Sequence, residues 1–71
     1  MIHRMKDAVQ NKIYEIRMAS DITQEKLSEK IGVSRQTIIA IEKGNYVPSV
    51  LLALKLARFF KKSIEELFYL S

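Results

Sequence analysis

Four hydroxyl side chains divide most of this chain into short segments, and their spacing limits the possible folds more than any other feature. Each stands directly before a stretch with helical periodicity, where its oxygen can accept a hydrogen bond from a first-turn N–H group. The four residues are Thr23, Ser34, Ser49 and Ser63. A chain with helix-capping residues at these intervals is predicted to form several short helices rather than strands or one long helix.

The helix ends are marked as well. Gly32 and Gly44 stand where a left-handed residue ends a helix, and Pro48 separates two periodic stretches. Ser63 and Glu66 fit a capping box. We therefore predict an all-α domain of five helices, over 11–20, 24–31, 35–43, 50–61 and 64–69. Residues 1–10 have no clear cap and form an N-terminal extension, which either continues the first helix or frays, ahead of a domain at 11–71.

The composition narrows the class of protein. The chain has 71 residues, no cysteine and one histidine, which excludes a disulfide framework and disfavours a zinc site. A core this small needs dense helix packing or a partner subunit. Twelve basic residues against eight acidic ones give a net charge of +4, which permits a polyanionic partner. The sequence has no long apolar run typical of a membrane span, so we expect a soluble, cytoplasmic protein.

The central segment, 23–44, carries the functional signal. Two short helices joined by a tight turn that contains a glycine are typical of a helix-turn-helix. Apolar side chains at regular spacing would lock this pair together: Leu27, Ile31, Val33, Ile38 and Ile41. The same spacing turns another set of side chains outward on the second helix: Arg35, Gln36, Ile39, Ala40 and Lys43.

The outward residues at the start of the second helix suit DNA bases. The N-terminal residues of a docked recognition helix meet base edges in the major groove. Arg35 can bind guanine O6 and N7, and Gln36 can pair with adenine N6 and N7. Ile39 and Ala40 suit a thymine methyl group. The alternative is that Arg35 and Gln36 merely solvate the start of a helix.

The sequence resembles the lambda-repressor and Cro-like (XRE) family of helix-turn-helix regulators over about residues 12–68. The motifs that carry this resemblance are Ile22-Thr23-Gln24-Glu25, Ile31-Gly32-Val33-Ser34-Arg35-Gln36-Thr37-Ile38, Ile41-Glu42-Lys43-Gly44 and Pro48-Ser49. The resemblance implies a compact lambda-repressor-like fold of five helices. It also implies a transcriptional regulator, expected to be a repressor, that binds double-stranded DNA.

The family pattern implies a role for individual residues. Arg35, Gln36 and Ala40 match base-contacting positions. Further residues match or flank positions that contact the DNA backbone: Gln24, Ser34, Thr37, Lys43, Asn45 and Tyr46. Gln24 would also brace the recognition helix. Arg17 and Glu42 resemble a structural ion pair that joins the first and third helices.

The chain departs from the family pattern in ways that matter. Lys26 stands where a glutamate often completes a capping box, and Lys61 stands where a glycine commonly ends the fourth helix. Lys62 replaces a usual aliphatic residue, and Leu51 replaces a polar one. Leu51 and other apolar residues near the end of the chain are predicted to form a homodimer interface: Leu51, Leu54, Phe59, Phe68, Tyr69 and Leu70. The alternative for residues 68–70 is packing over the subunit's own core.

The sequence fits other functions less well than DNA binding. An antitoxin or accessory regulator would keep the fold but act mainly through a protein partner. An enzyme is disfavoured, because the serines lack a histidine base other than His3. Glu65 and Glu66 are adjacent on a helix and do not converge as an acid and base pair. A membrane-surface helix is disfavoured because residues 50–61 lack a strongly polar face. We expect no cofactor and no metal, and the sequence indicates no small-molecule effector.

Overall fold

A computed structural model describes residues 8–71 and contains five helices and a small two-stranded sheet. In chain order the elements are β1 (Val9–Asn11), α1 (Ile13–Ala19), α2 (Gln24–Ile31), α3 (Arg35–Glu42), α4 (Val50–Phe60), α5 (Ile64–Leu67) and β2 (Phe68–Leu70). The predicted set of five helices is confirmed, each within one or two residues of its expected bounds. Within residues 8–71, none of the helices is long and apolar enough to span a lipid bilayer.

All four predicted helix caps are present, because each rests on a hydrogen bond between residues three apart in the sequence. The hydroxyls of Thr23, Ser34, Ser49 and Ser63 accept from backbone N–H groups at 3.0 to 3.2 Å. The capping box at the start of α5 is complete, since the backbone N–H of Ser63 also donates to Glu66 Oε1 at 2.7 Å. These bonds satisfy donors that every helix N-terminus leaves open.

Left-handed residues follow helix ends where the sequence placed glycines and at two further positions, Lys61 and Asp21, the latter after α1 with φ +56°. Gly32 ends α2 with φ +90°, and Gly44 follows the end of α3 with φ +80°. Lys61 ends α4 with φ +58°. A residue with a Cβ is strained in that conformation, so Lys61 carries a local penalty that glycine would avoid at this position.

The core lies where the helices meet. Six large apolar side chains are fully or almost fully removed from solvent: Ile13, Leu27, Ile38, Ile41, Leu56 and Leu67. They come from all five helices, so each helix contributes an inward face to one cluster. Ile38 and Ile41 anchor α3 in this core, and the opposite side of α3 is thereby turned outward.

A small sheet lies at both ends of the described chain, where the sequence analysis predicted helix or a frayed extension. β1 and β2 pair antiparallel, with Val9 opposite Leu70 and Asn11 opposite Phe68. Val9 and Gln10 thus lie in a strand and do not extend the first helix; the rest of that prediction falls on residues 1–7, outside the described residues. The last helix ends at Leu67, and the three residues after it are extended. The backbone N–H of Lys12 donates to the carbonyl of Leu67 at 2.9 Å and continues this link between the ends.

Candidate nucleic-acid interface

The recognition-helix candidate α3 is held at its start by Ser34. The Ser34 hydroxyl accepts from the backbone N–H of Thr37 at 3.2 Å and lies 3.0 Å from the Thr37 hydroxyl. The preceding turn is closed by Gly32 and Val33, whose N–H groups both donate to the carbonyl of Ser28. Because the turn is short and hydrogen-bonded, it fixes the direction in which α3 leaves α2.

The outward side of α3 carries the residues that the sequence analysis assigned to bases. Arg35 and Gln36 in the first turn are exposed, and Lys43 just after the helix is exposed as well. Ile39 and Ala40 are half-buried, so each offers only an apolar edge to a partner. Thr37 is half-buried beside Ser34.

The charge on this face is entirely positive. Glu42 is the one acidic residue of α3, and its side chain is 6% exposed because it turns inward against Arg17. Arg35 and Lys43 therefore project from α3 and its C-terminus without an acidic neighbour on the same helix. A surface of this sign attracts phosphate groups and loses that attraction as salt rises.

A buried ionic network fixes α3 relative to α1 and α2. Arg17 Nε lies 2.5 Å from Glu42 Oε2, and its Nη2 donates to Oε1 at 3.2 Å. Gln24 Nε2 donates to the same Oε1 at 3.0 Å, and Arg17 Nη1 donates to the carbonyl of Ile22 at 2.9 Å. The predicted ion pair is therefore present. Gln24, at the first position of α2, is tied by its side chain to the last residue of α3.

The segment after α3 lies beside the same surface. The backbone N–H of Asn45 donates to the carbonyl of Ala40 at 2.9 Å, and the side chain of Asn45 is exposed. Tyr46 is 45% exposed. It lines an open groove of about 260 Å³ with Thr37, Ser49 and Leu51, among others. The groove connects the first turn of α3 with the start of α4.

Of the residues predicted for a dimer interface, some are exposed and others pack inside the subunit. Leu51, Leu54, Tyr69 and Leu70 are exposed. Phe68 belongs to the subunit's own core with 9% exposure, and Phe59 packs against that core. Phe68 therefore packs over its own core, as the alternative for residues 68–70 had it, because a strand follows Leu67 and turns this ring inward. Val47 and Val50, at 58% and 73% exposed, were not predicted for this role.

Asn11 is a positioning residue that the sequence analysis missed. Its Nδ2 donates to the carbonyl of Ile41 at 2.9 Å, and its Oδ1 accepts from the backbone N–H of Ile13 at 3.0 Å. One side chain thus ties β1 to the C-terminal end of α3 and to the start of α1. An asparagine two residues before a helix was the available signal.

One titratable group in the described part of the chain has a resolved shift. The backbone N–H of Ser63, donating to the Glu66 carboxylate, lowers the pKa of Glu66, and burial opposes this only in part. Glu66 belongs to the capping box of α5 and not to the outward face of α3. Among residues 8–71, no three aspartate, glutamate, histidine or cysteine side chains gather as metal ligands would.

Comparison with known proteins agrees with this geometry. A family model described as helix-turn-helix matches residues 13–67. The chain is 52% identical over 62 residues to YgzD, an HTH-type transcriptional regulator of Bacillus subtilis, covering 87% of this chain and 94% of YgzD. It is 39% identical over 57 residues to RstR, a cryptic phage CTXphi transcriptional repressor of Vibrio cholerae, covering 80% of this chain and 51% of RstR.

A solved structure gives the same result for the fold. The restriction-modification controller protein C.AhdI from Aeromonas hydrophila superposes with a TM-score of 0.71 at 30% identity. The superposition covers 76% of this chain and 82% of C.AhdI.

Proposed function

The chain belongs to the helix-turn-helix family of transcriptional regulators, and from this premise we propose that it represses transcription as a homodimer bound to an inverted-repeat DNA site. The observation that carries the proposal is that α3 is anchored in the core on one side and exposed on the other. Arg35 and Gln36 project from a helix whose other side is anchored by Ile38 and Ile41 at 0% exposure. Side chains held in this way can meet base edges without first paying the entropy of ordering their helix.

The residues divide into those that select a sequence and those that position the protein. Arg35 and Gln36 contact base edges in the major groove, and Ile39 and Ala40 contact thymine methyl groups. Contacts to the backbone come from a second set, which fixes register but carries no sequence information. That set comprises Gln24, Ser34, Thr37, Lys43, Asn45 and Tyr46. The buried partner of Gln24, Glu42, holds its amide beside α3.

A dimer follows from the size of the contact. One subunit of this kind inserts a single helix of eight residues, and a single short helix covers few base pairs. Two copies related by a two-fold axis present their recognition helices about 34 Å apart, one turn of DNA, so that an inverted repeat matches their symmetry. Both helices then contribute to one binding event.

Repression is supported by the likeness to the phage repressor RstR. A dimer seated on a promoter excludes polymerase by occupying the same groove, which requires no contact beyond those on DNA. The likeness to the controller protein C.AhdI supports a role in regulation of the same broad kind. We place this activity in the cytoplasm, where prokaryotic DNA lies.

The test is a selection of bound sequences from random duplexes at a stated salt concentration. We expect an enriched inverted repeat whose half-site centres lie about 10 base pairs apart. Absence of any enriched sequence contradicts the proposal. Stoichiometric capture of a protein partner by a chain that binds DNA weakly and without preference favours the alternative of an antitoxin or accessory regulator.

Two variants separate the two kinds of contact. Gln36→Ala should lose about 1–3 kcal/mol at one base pair and relax the preference there, because it removes a paired contact. Lys43→Gln should weaken binding to all sequences alike and reduce the salt slope by about one, because it removes a phosphate contact. Equal losses on selected and scrambled duplexes for both variants would contradict this division.

A further inference from the structure

We propose that the second copy of the chain docks on an apolar surface formed by the start of α4 and one face of the β1–β2 ribbon, each copy inserting Leu54 into a groove of the other. This surface, called here the two-fold patch, consists of the exposed side chains of Val47, Val50, Leu54 and Leu70. Val47 and Val50 also line the groove. This inference rests on the proposed function, because the interface belongs to the same homodimer.

Strand geometry places Leu70 on the patch and Tyr69 away from it. Val9 pairs with Leu70, and Asn11 pairs with Phe68. Directly paired residues and alternate residues of a strand share one face of a sheet. Phe68 and Leu70 therefore share one face of the ribbon, and Tyr69 lies on the other. There Tyr69 meets the Lys12 ammonium, 5.7 Å from the ring centre.

A groove opens on the face that carries Leu70. It has a volume of about 150 Å³ and is lined entirely by apolar residues, among them Val9, Val47, Pro48, Val50, Ile64 and Phe68. The groove is open to solvent, but no polar side chain lines it, so covering its walls with an apolar side chain is favourable. The groove thus suits one aliphatic side chain of a partner better than it suits water.

The side chain to fill it stands on the same surface. Leu54 is 51% exposed and lies one helical turn after Val50, which is 73% exposed. A projection and a groove side by side on one surface are what a two-fold interface requires, because each copy must offer both. A different partner would need only the groove and would make no use of Leu54.

The charge pattern also favours a second copy. Residues 44–54 include no charged side chain, although the chain as a whole carries a net charge of +4. Two positively charged chains repel each other least when the surfaces that touch carry no charge, because their like charges then stay far apart. An uncharged apolar patch on a charged protein is therefore self-complementary, and large exposed apolar side chains around a pocket are typical of interface hot spots.

The experiment compares the association of three variants with that of the full chain by sedimentation equilibrium. Val50→Glu and Leu70→Asp place like charges across the two-fold axis, and each should raise the dimer dissociation constant roughly thirtyfold or more, as the loss of a hot-spot residue does. Val50→Glu should stay folded, because an acidic residue in the first turn of a helix is favourable. Tyr69→Asp is the matched control, adjacent in sequence but on the opposite face, and should stay dimeric.

Two outcomes overturn the inference. One is a full chain that stays monomeric at the highest concentration measured. The other is a dimer that Tyr69→Asp dissociates and Leu70→Asp leaves intact. A monomeric full chain would also contradict the homodimer of the proposed function, whereas the second outcome would move the interface and leave that homodimer standing. Failure of sequence-specific DNA binding shows separately, as the absence of an enriched sequence. If both proposals hold, folded Val50→Glu retains weak binding to an isolated half-site and loses the gain from a second half-site.

Discussion

Separating Arg17 from Glu42 is expected to destabilise the fold more than any substitution on the surface. Both side chains are more than nine-tenths buried, at 7% and 6% exposed. Arg17→Met leaves a buried carboxylate, and Glu42→Gln leaves a buried guanidinium. Removing one partner of a buried pair typically costs about 3–5 kcal/mol, because the other charge stays without compensation.

A loss of this size is a large fraction of the total free energy of unfolding. A domain of 71 residues has a total free energy of unfolding of roughly 4–11 kcal/mol, taking about 0.05–0.15 kcal/mol per residue. Either single variant should therefore lower the melting temperature by about 12 °C or more, at roughly 4–8 °C per kcal/mol for a domain of this size. The double variant Arg17→Met, Glu42→Met leaves no charge in the core and should recover most of the loss.

The assay is urea unfolding of the two single variants and the double variant, followed by circular dichroism. Protein concentration is held fixed, because association contributes to apparent stability. Losses below about 1 kcal/mol for both single variants, the scale of an exposed pair, would refute the argument that this network is desolvated. Additive losses in the double variant would show that the two side chains do not interact.

Two further predictions concern helix ends. Lys61→Gly should stabilise the fold by about 1 kcal/mol in urea unfolding, because glycine adopts the positive φ at this position without the strain of a Cβ; Lys62→Gly is the control and should not stabilise it. The lowered pKa of Glu66 means that the unfolded chain takes up a proton more readily. The stability from this capping box is therefore present above the pKa of the unfolded chain and is lost as pH falls through the folded pKa. Glu66→Gln should flatten that part of the stability profile, and an unchanged profile would contradict the assignment.

Short-range chemistry made the helices predictable from the sequence. Each helix cap is a hydrogen bond to a group three residues away, so both partners can be read from one short stretch of sequence. The capping residues are Thr23, Ser34, Ser49 and Ser63. The outward face of α3 followed from the period of its apolar residues. Because Ile38 and Ile41 are buried, the placement of Arg35 and Gln36 depends on helix geometry alone.

The features that the sequence did not reveal depend on contacts between distant segments. β1 and β2 have three residues each and lie at opposite ends of the chain, so neither carries a recognisable pattern without the other. The last helix was predicted to continue to about residue 69, but after Leu67 the chain changes to the two-residue period of a strand. The family resemblance implied that Gln24 braces the recognition helix but did not give its partner. That partner, Glu42, depends on the angle between α2 and α3, which packing decides.

The most direct test of the central claim combines a change in Arg35 with a change in its proposed base. In a selected duplex, each guanine of the half-site is replaced in turn by 7-deazaguanine, which lacks the N7 acceptor of the major groove. One replacement should weaken binding of the full chain severalfold and leave binding of Arg35→Ala unchanged, because the contact is already absent. If every replacement weakens the full chain and Arg35→Ala to the same extent, Arg35 does not contact guanine N7 in the major groove.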